Sequence, residues 1–269
     1  MKSNKWLKKL TKLPILKQIF NMFVKYLANK KAEKIASHFT TYFAPVVASS
    51  DKLKDSSYLL RHQVYCDEMT FLPKSSTGLE TDQCDNHSIH CLLEHINLKV
   101  FAGTVRVVYT REEMQRLPFE IHCGDCITEP ELNPRQFPRD SICEVSRLAV
   151  PASFRRRKTD SHDGSATGVI NEHNYSESEV RCFPFIAIGL YLMAAAIIKK
   201  NGMEHVFVMM EPRLARSMSF VGIKFTQIGP TVDYHGTRAP YYLNINEMIN
   251  GLNSGFKGLY NRIEQQLEN

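Results

Sequence analysis

The chain has 269 residues, 43% of them apolar and 23% charged, with a formal net charge of +6. Those proportions are ordinary for a soluble globular protein and give length for one large domain, or one domain with an appendage. No apolar run reaches eighteen residues, so no membrane-spanning helix is indicated, and the longest, Phe183 to Ile198, suits a buried helix.

Seven cysteines, an odd number scattered over the chain, do not form a dense disulfide framework and point to a reducing compartment. Lys12, Lys17 and Lys25 interrupt any candidate core of a cleavable signal, so a cytoplasmic location is expected. Residues 1–34 hold ten lysines and one acidic residue, Glu33, a net of +9 that leaves −3 for the rest. A body of that sign argues against nucleic-acid binding, which needs a basic face on the folded domain.

The division expected is an amphipathic basic arm over residues 1–45 and a folded domain over 46–269. In the arm, Trp6, Leu10, Leu13, Leu16, Phe20, Phe23 and Leu27 recur at helical spacing among the lysines, with a kink at Pro14. Such a helix can lie on an anionic membrane surface, making the protein peripheral on the inner face of the cell membrane, or it can pack on the domain. Residues 50–70 read as a helix capped by Asp51, and Phe71 to Asn86 as a loop. His90–Ile96 and Val100–Tyr109 read as a hairpin, and Ile142–Val150 as a further strand. Phe154 to Glu179 is polar, with Arg155, Arg156, Arg157 and Lys158 in a row, and reads as a surface loop. Pro184–Lys200 is a helix closed by Gly202. His205–Met210 is a buried strand, Arg213–Phe220 a short helix and Tyr241–Ile245 a last strand. The order predicts an α/β class fold, a mixed sheet flanked by helices.

Charged residues inside apolar strands need partners. Arg106 lies in Gly103-Thr104-Val105-Arg106-Val107-Val108, and Glu144, Ser146 and Arg147 lie in the strand that ends at Val150. Strand alternation sends Glu144 and Ser146 one way and Arg147 the other. Pairing of Asp82 or Asp85 with Arg106, or of Glu144 with an arginine, is expected.

Four short patterns occur in order: Arg61-x-x-x-Tyr65, Asp82-x-x-Asp85, Gly103-x-x-Arg106 and Glu144-x-Ser146-Arg147. In these the chain resembles the acyl-homoserine-lactone synthases and the related N-acyl amino acid synthases, acyltransferases of the GNAT superfamily. The Glu144–Val150 strand, the arginine-rich turn and Tyr241-Tyr242-Leu243 are similar to acyltransferases associated with the exosortase/PEP-CTERM system. The likeness spans roughly residues 50–245 and leaves the arm unexplained.

The resemblance implies a mainly antiparallel GNAT-like sheet with a splayed strand pair, and transfer of an acyl group from a carrier thioester to an amine. An attacking amine must be neutral, so a base has to take its proton. Glu144 is expected in that role, with Ser146 and Arg147 beside it. Arg61, Tyr65, Phe71, Asp82, Asp85 and Arg106 are expected to shape the acceptor pocket and hold its loop. Backbone N–H groups near Leu148 to Val150 are expected to meet the oxyanion.

Coenzyme-A-using relatives carry a glycine-rich turn after this strand, where this chain has Arg155, Arg156, Arg157 and Lys158. That favours an acyl carrier protein as donor and partner over acyl-CoA as co-substrate. No tightly bound cofactor and no metal are expected. Four residues before Gly222, where many relatives place a thiolate-protonating tyrosine, stands Met218, leaving Ser217, Ser219 or a water as substitutes. Phe71 stands where lactone synthases prefer tryptophan, which favours an amino acid or other small amine over S-adenosylmethionine. A non-catalytic module that binds carrier protein or membrane is the reading of another class. Cys123-Gly124-Asp125-Cys126 is half of a metal or redox motif without a second half, and Tyr234 and His235 are candidate pocket residues.

Overall fold

The computed structural model describes residues 38–155, 185–219, 221–234 and 236–268. Residues 1–37 of the arm, Arg156, Arg157, Lys158, Phe220 and His235 lie outside them, so the expectations placed there do too. Among the described residues no helix is long and apolar enough to cross a membrane.

Among the described residues eight strands form one sheet: β1 (Phe43–Val47), β2 (Ser88–His95), β3 (Val100–Tyr109), β4 (Ile142–Ala149), β5 (His205–Met210), β6 (Thr226–Gln227), β7 (Val232–Asp233) and β8 (Thr237–Asn244). Their order is β1-β2-β3-β4-β5-β8-β6, with β7 also on β8. Every pairing is antiparallel except β4 with β5. That parallel pairing covers only Ile142↔His205, Cys143↔Val206 and Glu144↔Phe207. β4 runs on to Ala149 and β5 to Met210, so the two strands part immediately after Glu144.

β1 crosses residue 45, the end expected for the arm, and pairs along its whole length with β2. Pro45 is tolerated there because β1 is an edge strand. Phe39 and Phe43 are fully buried in the main core, so the body of the domain takes in the chain from residue 39.

Helix α1 (Asp51–His62) is capped by Ser50, whose side chain accepts from the Leu53 N–H. The cap expected at Asp51 falls one residue earlier because Ser50 has the extended backbone a cap needs, while Asp51 sits in the first turn against the helix dipole. The chain then widens into a π-helical turn over Gln63–Glu68. Short helices follow at α2 (Pro118–Cys123) and α3 (Ala152–Arg155). Helix α4 (Ile186–Lys200) is apolar on nearly every side and ends with Lys199 and Lys200 before Gly202, whose φ of 74° suits glycine. Helix α5 (Pro212–Ser219) follows β5. β8 begins four residues before the expected Tyr241, because Thr237 and Arg238 pair with β7. It stops at Asn244, whose side chain caps α6 (Ile245–Gly251), and α7 (Ser254–Glu268) closes the chain.

The sheet separates two environments. Ser57 of α1 hydrogen-bonds Thr104 at 2.7 Å, placing α1 on the face shared by Thr104, Arg106, Glu144 and Ser146. Helix α4 covers the opposite face, where Val105, Val107, Cys143 and Val145 join the main core. Gly103 explains itself here: a Cβ at that position would meet Leu190 of α4 at 2.7 Å and the Ala149 carbonyl at 3.1 Å. Gly103→Val is therefore expected to cost about 2 kcal/mol by overpacking, read as a lower urea midpoint with an unchanged slope.

Candidate active site

The polar face of the sheet is organised by three arginines. Arg61, fully buried on α1, donates from Nε to Glu80 and holds both oxygens of Asp85 at 2.7 and 3.2 Å. Arg106 of β3 donates from one amino group to Asp82 at 2.6 Å and Asp85 at 2.7 Å, and from Nε to the Ser146 hydroxyl at 3.1 Å. Arg147 of β4 reaches Glu80 at 3.1 Å and Asp82 at 3.0 Å. Three guanidinium groups thus meet three carboxylates. The expected pairing of Asp82 and Asp85 with Arg106 is present. Among the described residues no arginine pairs with Glu144, which accepts from the Phe119 N–H instead.

The loop before β2 is shaped by the same groups. The Asp82 side chain caps a turn at Gln83–His87 through the Cys84 N–H, and Asp85 accepts from the Asp82 N–H at 2.7 Å. Burial raises the Asp85 pKa, but Arg61 and Arg106 outweigh it and bring the group down to about 2. Burial pushes the neighbouring His90 down to about 4, so it stays neutral and leaves the charges balanced.

Arg147 corrects the alternation read from sequence. β3 and β4 shift register between Thr104 and Arg106, so Val105 alone faces both Arg147 and Leu148. Arg147 takes a φ of 52°, the left-handed region that a side chain rarely adopts. The extra residue returns the Arg147 side chain to the face of Ser146 and Arg106, where its carboxylate partners lie. Tyr65, on the π-helical turn, donates its hydroxyl to the Leu148 carbonyl at 2.7 Å and pins this bulge.

Glu144 is 3% exposed. One oxygen accepts from the Phe119 N–H at 2.8 Å. Burial pushes its pKa up to about 8, against the pull of that N–H and of Arg106 and Arg147. The donor sits at the start of α2, which Arg139 fastens by gripping Glu120 at 2.9 and 3.0 Å. Phe119 also stacks on Phe207 of β5. Glu144 thus lies at the last β4 position paired with β5, where the two strands begin to part.

A cleft opens on this face, with about 530 Å³ of open space including its mouth. Its lining brings together the expected Tyr65, Phe71, Glu144, Ser146, Arg147 and Tyr234, and adds Leu72, Pro118, Met209 and Arg238. Arg61, Asp82, Asp85 and Arg106 stand behind it as support. On the opposite face an apolar cavity lies between Val145, Val206 and Val208 and the side chains of Tyr191, Ala195 and Ile198 on α4.

The segment after β4 departs from a phosphate cradle. The Ala152 N–H donates to the Glu68 carboxylate at 3.0 and 3.1 Å, and Arg155 pairs with the same carboxylate. Arg155, expected at the acyl donor, is thereby engaged within the chain. Met218 is buried, while the Ser217 and Ser219 hydroxyls donate to carbonyls of their own helix at 2.9 and 2.6 Å. Cys126 donates to the Cys123 carbonyl at 2.7 Å. Among the described residues no group of three or more histidine, cysteine or acidic side chains is arranged to hold a metal.

Glu80 and Arg238 escaped the sequence reading. Charge matching offered a signal for the first, since three arginines faced only two aspartates. Nothing local marked the second.

Residues 60–162 match the family model described as the acetyltransferase (GNAT) domain. That stretch of the chain is similar to a GNAT acyltransferase domain. Solved structures agree on the GNAT fold. TofI, in a ternary complex with an inhibitor and MTA, is 14% identical, with 79% of this chain and 99% of that one covered at a TM-score of 0.54. FeeM, an N-acyl amino acid synthase from uncultured soil microbes, is 14% identical over 78% of this chain and 94% of that one, at 0.50. BjaI, a CoA-dependent acyl-homoserine lactone synthase bound to SAM and isopentyl-CoA, is 16% identical over 82% and 89%, at 0.51. No curated protein matches the sequence.

The ion-pair lattice behind the cleft sets a stability prediction. Asp85→Asn leaves Arg61 and Arg106 short of a buried partner and is expected to cost about 3 kcal/mol. With a folded pKa of about 2, below the ordinary 3.8, Asp85 stabilises fully above about pH 4. That contribution is lost as pH falls through about 2, so urea midpoints of wild type and variant should converge as the pH is lowered from 4 to 2.

Proposed function

We propose that this GNAT domain transfers a fatty acyl group from an acyl-carrier-protein thioester to the amine of a small acceptor such as an amino acid. The observation that carries the reading is the position of Glu144, buried at the point where β4 and β5 separate, with a polar cleft on one face and an apolar cavity on the other. The acceptor enters the cleft, the acyl chain occupies the apolar cavity, and the thioester carbonyl lies at the parting between them.

Glu144 takes a proton from the acceptor ammonium or from the amine as it attacks. The nitrogen bonds to the thioester carbon, and N–H groups of the Leu148–Val150 segment offset the negative charge on its oxygen. Collapse of that intermediate breaks the carbon–sulfur bond and yields an amide and a thiolate, which takes up a proton. Ser217 and Ser219 already donate within α5, so the proton for sulfur comes from water or from Glu144 itself.

The donor assignment is supported by Glu68. Its carboxylate fills the N–H site at Ala152 where a coenzyme A pyrophosphate would seek donors, and its charge opposes that group. A carrier-protein thioester brings one phosphate on a flexible arm and can avoid the site. Arg156, Arg157 and Lys158 supply a basic run for the acidic face of a carrier.

Mass spectrometry of lipid extracts tests the reading, comparing cells that express the wild type with cells that express Glu144→Gln. The expected result is an N-acylated amine formed only by the wild type. An acyl-homoserine lactone would redirect the acceptor to S-adenosylmethionine, and identical extracts from both strains would count against catalysis. With purified protein, kcat/KM is expected to rise about tenfold per pH unit up to about pH 8 and then level off. Glu144→Gln should remove the break at about pH 8 and lower the rate by at least about 100-fold.

A further inference from the structure

Charge accounting around the cleft leaves one arginine over. Arg61, Arg106 and Arg147 are matched by Glu80, Asp82 and Asp85. His90 is neutral, and Glu144 shares its carboxylate with a backbone N–H. Arg238, on β8 where it pairs with Val232, also lines the cleft. Its Nε is buried without a hydrogen-bond partner, and among the described residues no carboxylate forms an ion pair with it. The Nη2 of Arg106 is likewise unpartnered, but that arginine holds two carboxylates through its other amino group.

A charged N–H buried without a partner is unfavourable, and a guanidinium edge is shaped to take two oxygens of one carboxylate. The placement suits such a ligand. Glu144 is in line with Phe207 of β5 and Tyr242 of β8, and Arg238 lies four residues before Tyr242, so the two backbones are about 10 Å apart across the sheet and about 13 Å apart along it. Arg238 and Glu144 extend into that interval from its two sides, with Met209 of β5 lying between their strands. Both side chains are long enough to reach one cleft from the two ends of that interval, so an acceptor in the cleft can meet Glu144 with its amine and Arg238 with an anion.

We propose that Arg238 is the specificity determinant for the acceptor, binding a carboxylate carried close to the amine that is acylated. The assignment rests on the acyl-transfer reading above. It makes the acceptor an amino acid and places the discrimination against simple amines in one side chain of β8.

The test is a thiol-release assay on the full chain with an acyl-carrier-protein or acyl-CoA thioester. Acceptors are offered in pairs, each amino acid beside the amine formed by its decarboxylation. Wild type should favour the carboxylate member by roughly 100-fold in kcat/KM, as a charge-assisted hydrogen bond predicts. In Arg238→Gln that ratio should collapse to within a few fold, and Arg238→Lys should restore part of it. An unchanged ratio in Arg238→Gln overturns the proposal, as does a rise confined to the KM of the thioester, which would assign Arg238 to the donor phosphate. Calorimetric binding of an N-acyl amino acid and of the matching N-acyl amine separates this from failure of the acyl-transfer reading. If no thiol is released with any pair, roughly 100-fold tighter binding of the carboxylate ligand, lost in Arg238→Gln, supports the anchor while acyl transfer fails. Equal binding by both proteins overturns the anchor as well.

Discussion

Three guanidinium groups taken out of water can be accommodated only if each finds an anion inside the protein, because an unmatched buried charge costs several kcal/mol. Arg61 and Arg106 are fully buried, and Arg147 is mostly so. Their partners come from the loop before β2, a segment without regular structure except for the turn at Gln83–His87. The loop is therefore fixed to the sheet by electrostatics and not by its own backbone pairing. Helix α1, strand β3, strand β4 and the loop converge on one cluster, and the back of the cleft is set by it.

The same cluster requires the backbone irregularity at Arg147. A regular strand would have sent this side chain into the apolar core beneath α4, where no anion waits. The left-handed residue costs of order 1–3 kcal/mol by itself, and the contacts to Glu80 and Asp82 together with the Tyr65–Leu148 hydrogen bond offset it. The bulge falls just beyond the last β4–β5 pair. One irregularity therefore aims the arginine, bends the strand and helps to hold the sheet open beside Glu144.

Much of this was legible in the sequence. The apolar periodicities of α4, β3 and β5 were strong enough to place them within a residue or two, and Arg106 in an apolar strand announced the pairing with Asp82 and Asp85. The parts that were not legible share a physical cause, dependence on distant neighbours. Pro45 conceals β1, which pairs at the edge of the sheet. The turn of Arg147 follows from where β3 places Val105, and the alternation of β4 alone carries no sign of it. Glu80 lies in a polar loop like many surface acids, and only the charge balance of three remote arginines distinguishes it. Arg238 occupies a strand beside two tyrosines, and its isolation becomes visible only when the cleft is assembled. The C-terminal helix α6 depends on a local cap at Asn244.

The sheet also divides labour in a way that bears on how such a domain can diversify. The polar cluster and Glu144 project from one face, whereas the apolar cavity on the other is lined by aliphatic and aromatic side chains from α4, β5 and β8. Under the proposed reading, replacements such as Ala195 by a bulkier residue would reshape the cavity without touching a single ion pair. Chain-length preference could then drift across a lineage while the chemistry stayed constant, since the two sets of residues share a strand but not a face.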